Sequence, residues 1–168
     1  MSVPKFYTLS NGVKIPSLAL GTYDLPKSTT ANIVYEALKC GYRHFDTAVL
    51  YNNEREDVFY TTKLWNSQNG YQPAKQAIKE CLQKVEKLGY IDLLLIHSPL
   101  SGSRKRLETY KAMQEAVDEG IVKSIGVSNY GQHHLEELLS WEGLKYKPVV
   151  NQIEISPWCM RQELAQWC

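Results

Sequence analysis

Asp46, Tyr51, Lys63 and His97 are the residues of this sequence best suited to move a proton, and each lies at or just beyond the end of a short apolar run. Asp46-Thr47-Ala48 ends a run that begins at His44, with Tyr51 in the loop that follows. Thr62-Lys63-Leu64-Trp65 ends the next run, and His97-Ser98-Pro99 the one after it. Of two later runs, one ends in Ser128-Asn129-Tyr130 and the other carries Asn151-Gln152 and Glu154. An acid, a phenol, an amine and an imidazole that meet at one place have a definite chemistry. A tyrosine titrates near ~10 in water, and a neighbouring cation favours its phenolate. A carboxylate beside the lysine holds that cation in place. The phenol can then donate a proton near neutral pH, while a histidine orients the oxygen that receives it or shares the proton load. Proton donation to a carbonyl oxygen, coupled to hydride arrival at its carbon, is carbonyl reduction. The hydride must come from a cofactor, because no side chain supplies one.

Each residue also has a plain structural use. Asp46 can cap a loop, Lys63 can snorkel to solvent, and His97 can be a hydrogen-bonded core histidine. Tyr51 can be an amphipathic loop aromatic, Trp65 a core residue, and Ser128-Asn129 the cap of a following helix. Taken together, these uses leave four polar groups crowded at one rim without a reason. Asp92, at the opposite end of its strand, reads as structural.

The elements that would position these groups alternate. A hairpin over residues 6–15 turns at Asn11-Gly12, a pair that suits a tight turn because both tolerate positive φ. Ser17 to Leu20 reads as a strand. Ser28 or Thr29 can cap a helix with Ile33, Val34, Ala37 and Leu38 on one face, stopped by Gly41. Further strands read as His44 to Ala48, Val58 to Thr62, Ile91 to Ile96, Val122 to Val127 and Val149 to Ile155. The stripe Ala74, Ala77, Ile78, Cys81, Leu82, Val85, Leu88 has helical spacing, with Pro73 near its first turn. Leu107, Tyr110, Met113 and Val117 mark another helix, Leu135, Leu138 and Leu139 a short one, and Arg161 to Trp167 the start of a last. Alternation of strand and helix means a parallel sheet, open and doubly wound or closed into a barrel. No G-x-G-x-x-G follows the first strand, so a Rossmann site lacks its main support. In barrels the reactive groups sit at the C-terminal strand ends, where the four polar groups fall.

Composition sets the outer bounds. The 168 residues suit a single domain, 1–168. With 19 Lys+Arg against 18 Asp+Glu, the formal charge of +1 gives no support for nucleic-acid binding. No apolar run approaches the ~20 residues of a membrane span, and the first residues lack a secretory h-region. Cys40, Cys81, Cys159 and Cys168 show no CxxC spacing and read as reduced, mostly buried thiols of a cytoplasmic protein. The four histidines, His44, His97, His133 and His134, show no metal-ligand spacing on one rim, so no metal is expected.

The stretch Gly41-Tyr42-Arg43-His44-Phe45-Asp46-Thr47-Ala48 followed by Tyr51 resembles the aldo-keto reductase signature. So do Thr61 to Trp65, Ile91 to Pro99 (IDLLLIHSP), Ile125 to Asn129 (IGVSN) and Val149 to Pro157 (VVNQIEISP), in order along the whole chain. Fungal members look closest. The resemblance implies a (β/α)8 TIM-type barrel whose bottom is closed by the N-terminal hairpin, and reduction of an aldehyde or ketone by NADPH, with NADH the alternative cofactor. By motif position Tyr51 would be the acid, Lys63 and Asp46 its tuning pair, and His97 the substrate-orienting residue. Ser128, Asn129 and Gln152 would contact the nicotinamide carboxamide, Thr22 and Asp46 would lie near the cofactor, and Tyr23 and Trp65 would wall the substrate pocket. The partner is then a small carbonyl compound, and the protein a monomer or dimer. A binding or regulatory protein on the same scaffold is the alternative from another class; such a protein has no need of the full acid–lysine–tyrosine–histidine set.

Three features depart from the family pattern. Only Leu50 to Asp57 separates the second and third strands, whereas a parallel crossover takes a dozen or more residues. Asn52 also stands where the family has glycine, a position that asparagine tolerates. The chain encodes about six of the eight βα units, and the family's last units carry the groups that stack on nicotinamide and grip the adenosine phosphate. Two explanations compete: a genuinely short product, for which catalysis would be in doubt, or the favoured one, a chain joined from segments of a longer protein, with a break between Asn52 and Asp57, at Glu54–Arg55, where a crossover helix is missing.

Overall fold

A computed structural model describes residues 4–46, 58–85 and 88–168. Strands β1 (Phe6–Thr8) and β2 (Lys14–Pro16) form an antiparallel hairpin with Tyr7 opposite Ile15. Then follow β3 (Leu20–Gly21), α1 (Lys27–Lys39), β4 (His44–Asp46), β5 (Phe59–Leu64), α2 (Tyr71–Lys84), β6 (Ile91–Ile96) and α3 (Ser103–Asp118). β7 (Val122–Ser128), α4 (Gln132–Leu139), β8 (Asn151–Gln152) and α5 (Gln162–Trp167) complete the order. Strands β3 to β8 lie side by side in sequence order, all parallel. A doubly wound sheet reverses its order at a switch point; this one does not.

The sheet is strongly curled. In a flat sheet β4 and β8 would stand roughly 19 Å apart, four steps of about 4.8 Å. Yet the Gln152 amide on β8 donates to the Asp46 carboxylate on β4 at 2.9 Å. The architecture is part of a (β/α)8 barrel.

Strand side chains alternate between two faces, and the core divides accordingly. Tyr60, Leu64, Leu94, Ile96, Ile125 and Val127 pack outward against Ala74, Ala77, Ile78, Ala112, Met113 and Ala116 of α2 and α3. Phe59, Leu93 and Leu95 point inward, where Val13 and Ile15 of the hairpin and Val149 and Val150 meet them. The hairpin thus plugs the barrel interior from the N-terminal end, and the Asn11 amide donates to Ser124 Oγ on β7 at 3.0 Å.

Several boundaries differ from the sequence expectation. The hairpin turn is not the two-residue type. Gly12 N donates to Leu9 O and Leu9 N to Val13 O, with Gly12 alone of the pair at positive φ (85°), so Asn11 is released to bond Ser124. Neither Ser28 nor Thr29 caps α1; Pro26 holds that place, and the Thr29 and Thr30 hydroxyls donate back to its carbonyl. Ser17 does not join β3, because its N–H and hydroxyl bond Lys5 O and Pro4 O beside the hairpin. β5 runs on to Leu64 because β6 offers partners up to Ile96. β8 contracts to Asn151–Gln152 within the expected Val149 to Ile155, as the chain turns back at the Ser156–Cys159 bridge. α2 ends at Lys84, although Val85 and Leu88 stay buried. Cys40 and Cys168 are exposed rather than buried, since each sits at a helix end. The expected break, Thr47, Ala48 and Tyr51 lie outside the described residues. No described helix is long and apolar enough to cross a membrane.

Gly126 on β7 is where the barrel wall is tightest. A Cβ there would sit 2.6 Å from Val150 O and 2.9 Å from Leu95 Cδ2. Val150 O accepts the Val127 N–H, so it cannot retreat freely. Gly126→Ala is expected to cost about 1–3 kcal/mol of stability, read as a lower midpoint in urea unfolding. An unchanged midpoint would show that this contact is not part of the folded wall.

Candidate active site

Asp46 lies on β4, and its alternation partner His44 points into the same interior. Asp46 pairs in register with Thr61, so Lys63 lies two residues further along β5 on the same face. The lysine side chain returns across that step and places Nζ 2.5 Å from both Asp46 carboxylate oxygens. Both side chains are less than one-fifth exposed (19% and 18%), so this is an enclosed ion pair rather than a snorkelling lysine. Thr22 N donates to Asp46 O, carrying the β3 edge to the same rim.

His97 follows β6 directly, its N–H bonded to Leu64 O at 3.0 Å. Its ring meets Trp65 edge-on, with centroids 4.3 Å apart at 87°. Burial lowers the His97 pKa from the usual imidazole value and the Lys63 charge lowers it further, while Asp46 opposes them. Trp65 is 52% exposed and Tyr23 89%, so neither is core; both stand at the mouth. A cavity of about 340 Å³ is lined by Thr22, Tyr23, Asp46, Lys63, Trp65 and His97.

The far side of the rim is polar and cross-linked. Asn129 takes a left-handed conformation (φ 60°). Its side-chain amide donates to His97 O at 3.0 Å and Ser128 Oγ at 3.1 Å. Ser128 Oγ and Asn129 N both donate to Gln152 O at 2.9 Å. From there the Gln152 amide closes on Asp46. The structure therefore brings Asp46, Lys63, His97, Ser128, Asn129 and Gln152 into one circuit at the C-terminal strand ends. Asp92 lies near the other end of β6, where its carboxylate accepts the Tyr60 N–H at 2.9 Å. Asn151 faces the other way and clamps the backbone of Tyr130, and Glu154 is exposed beyond the strand.

Sequence reasoning passed over the tier beneath the rim. His44 Nε2 shares a 2.8 Å hydrogen bond with Thr61 Oγ1, and the ring packs edge-on against Phe59. Burial is the main cause of its lowered pKa, partly offset by the carbonyl of Pro16. Its place two residues before Asp46 was the available signal, since period two sets both on one face. Gln68, Cys81 and Lys84 also line the cavity, and Gln68 Oε1 accepts the Trp65 N–H. Among the described residues no three His, Cys, Asp or Glu side chains cluster as metal ligands.

Comparison with known proteins fits this geometry. The aldo/keto reductase family profile matches residues 17–168. An uncharacterized oxidoreductase of Saccharomyces cerevisiae is 69% identical over 99% of this chain and 66% of its own length. A 9,11-endoperoxide prostaglandin H2 reductase of Trypanosoma cruzi is 40% identical over 96% of this chain and 60% of its own. The crystal structure of an aldo/keto reductase from Brucella melitensis superposes with a TM-score of 0.89 at 38% identity, covering 99% of this chain and 68% of that one. The chain spans about two thirds or less of the length of these curated relatives. The yeast alignment extends over 185 positions against 168 residues here, so that relative carries at least 17 residues inside the matched span that have no counterpart.

Three imidazoles give stability a pH dependence of fixed sign. His44, His97 and His134 all have folded pKa values below the ordinary 6.5. As pH falls through 6.5 the unfolded chain takes up protons first, so unfolding becomes easier between 6.5 and the lower folded values. Urea midpoints are expected to hold steady above about pH 7 and to drop on acidification toward 5. His44→Gln should flatten part of that slope, and a midpoint that rises on acidification over this range would contradict it.

Proposed function

The chain belongs to the aldo/keto reductase family, and we propose on that basis that it serves NADPH-dependent reduction of aldehydes or ketones to alcohols, with Tyr51 as proton donor. The observation that carries this reading is the enclosed Lys63–Asp46 pair beside His97 at the cavity mouth. A binding protein has no use for a buried cation tied to a carboxylate at a strand end. A site that must stabilise a developing phenolate does.

The donor set suits a nicotinamide. A carboxamide presents both an NH2 and a carbonyl, and Ser128, Asn129 and Gln152 gather hydroxyl and amide groups at the rim, where they now bond one another, His97 O and Asp46. These three would hold the carboxamide, with Thr22 and Asp46 near the rest of the ring system. When bound, the reduced nicotinamide supplies the hydride that no side chain can. The remaining work belongs to this chain. Tyr51 follows Asp46 by five residues, a reach of at most about 18 Å, which allows its phenol to come to the same rim. Lys63, held by Asp46, favours the phenolate and so makes the phenol a readier acid. His97, kept neutral by burial and the Lys63 charge, presents a nitrogen to the substrate oxygen without adding a second cation. Trp65 and Tyr23 offer apolar surface to the body of the substrate. The reductase named among the relatives supports a reductive enzyme.

Tyr51→Phe removes only the hydroxyl. In the full-length protein, turnover of a small aldehyde is expected to fall by roughly 10²–10⁴-fold, the usual worth of a general acid. Cofactor affinity, followed by fluorescence, should be retained. Lys63→Met should also lower turnover by leaving the phenol without its cation. Near-normal turnover in Tyr51→Phe would remove the tyrosine from the proton-donor role.

A further inference from the structure

Gln152 sits on β8, yet it touches the proton-handling pair on β4 and β5. Its backbone is fixed before its side chain begins. The carbonyl accepts both Ser128 Oγ and Asn129 N–H at 2.9 Å, and Gln152 pairs in register with Ser128 of β7. From that anchor its Nε2 donates to Asp46 Oδ2 at 2.9 Å. Lys63 Nζ lies 2.5 Å from both carboxylate oxygens. A cation bound to both oxygens moves with the carboxylate when the Asp46 side chain turns, so the ion pair alone does not fix its own place. A directional N–H bond to one oxygen does fix it. The amide has a second hydrogen and Oε1 for other partners, so this contact does not compete with a carboxamide for the whole group.

We propose that Gln152 is a positioning residue for proton transfer: by orienting the Asp46 carboxylate it fixes where the Lys63 ammonium is held, and through it the assistance given to the proton-donating phenol. The inference rests on the reading of Tyr51 as the acid. It differs from a purely cofactor-binding role in what it predicts. Without the amide contact, Asp46 turns, Lys63 is held less firmly, and the phenol receives less help in losing its proton. Its pKa then rises, and turnover that depends on the protonated phenol persists to higher pH while slowing at neutral pH.

Gln152→Met keeps the chain length and removes the donor. In the full-length protein at saturating NADPH, the alkaline limb of kcat for a small aldehyde is expected to move upward by about one pH unit, a roughly tenfold loss of preference for the phenolate. An unmoved limb, with only the KM for NADPH raised, would assign Gln152 to cofactor binding alone and overturn the proposal. A second measurement needs no turnover. In a double-mutant cycle on thermal unfolding, Asp46→Ala and Gln152→Met are expected to be non-additive, the double variant losing less than the two single shifts together. Additive shifts would remove the contact and the proposal with it. A wild-type protein that binds NADPH but reduces no carbonyl would defeat the reading of Tyr51, while the unfolding cycle would still report whether Gln152 and Asp46 are coupled.

Discussion

Asp46 and Lys63 are more than four-fifths buried, and each takes most of its compensation from the other. Removing a charge from water costs several kcal/mol per ion even after relaxation, and stripping one partner from such a pair costs about 3–5 kcal/mol because the other is left stranded. The pair is tolerable only where the remaining carboxylate valence is filled, and the Gln152 amide fills it. Three strands must therefore arrive together. β4 has to turn Asp46 inward, β5 has to carry Lys63 two residues past the register partner of Asp46, and the sheet has to curl far enough for β8 to reach β4. A one-residue slip in β5 would turn Lys63 toward the helices and expose the pair's cost at once.

What lies beneath the pair keeps it dry from below. The apolar tier of Phe59, Leu93 and Leu95 is met by Val13 and Ile15 of the hairpin. Between this tier and the rim, His44 and Thr61 form a hydrogen-bonded layer that changes the interior from apolar to ionic over one turn of alternation. The hairpin contributes nothing to the rim. Its part is to fill the interior from the N-terminal end, so that polar groups can gather at the C-terminal end alone. Gly126 belongs to the same arrangement, because its missing side chain lets Leu95 and the Val150 backbone close over that filling.

The residue pattern carried most of this in advance, for identifiable reasons. Ile91 to Ile96 reads as a buried parallel strand because it is apolar on both faces, and it is one. Strand ends alone put Asp46, Lys63 and His97 at one rim, and they line one cavity. The short strands were less legible. Ser17 looks like a strand residue by composition, yet its hydrogen bonds are taken by the hairpin, which no local window reports. Cross-barrel contacts were not legible at all. The Gln152–Asp46 bond joins residues 106 apart in the chain, and only the curl of the sheet brings them within reach. His44 opens the same strand, and the period that places Asp46 also places its ring in the interior.

The charges at the rim also account for one another. Lys63 lowers the His97 pKa, and Asp46 acts against it. Were the lysine unpaired, its full field would fall on the imidazole and on any phenol brought to the rim. Were it absent, the Asp46 carboxylate would raise the His97 pKa with no cation to oppose it, and burial alone would hold the imidazole neutral. The bidentate pair sets a state between these two, with one fixed cation largely balanced by its own carboxylate and a neutral imidazole beside it. A neutral imidazole can orient an oxygen without competing to protonate it, so proton delivery is left to a group whose acidity the fixed cation raises. Asn129 guards this separation from the other side by bonding the His97 carbonyl rather than its ring, which leaves the imidazole nitrogens to the cavity.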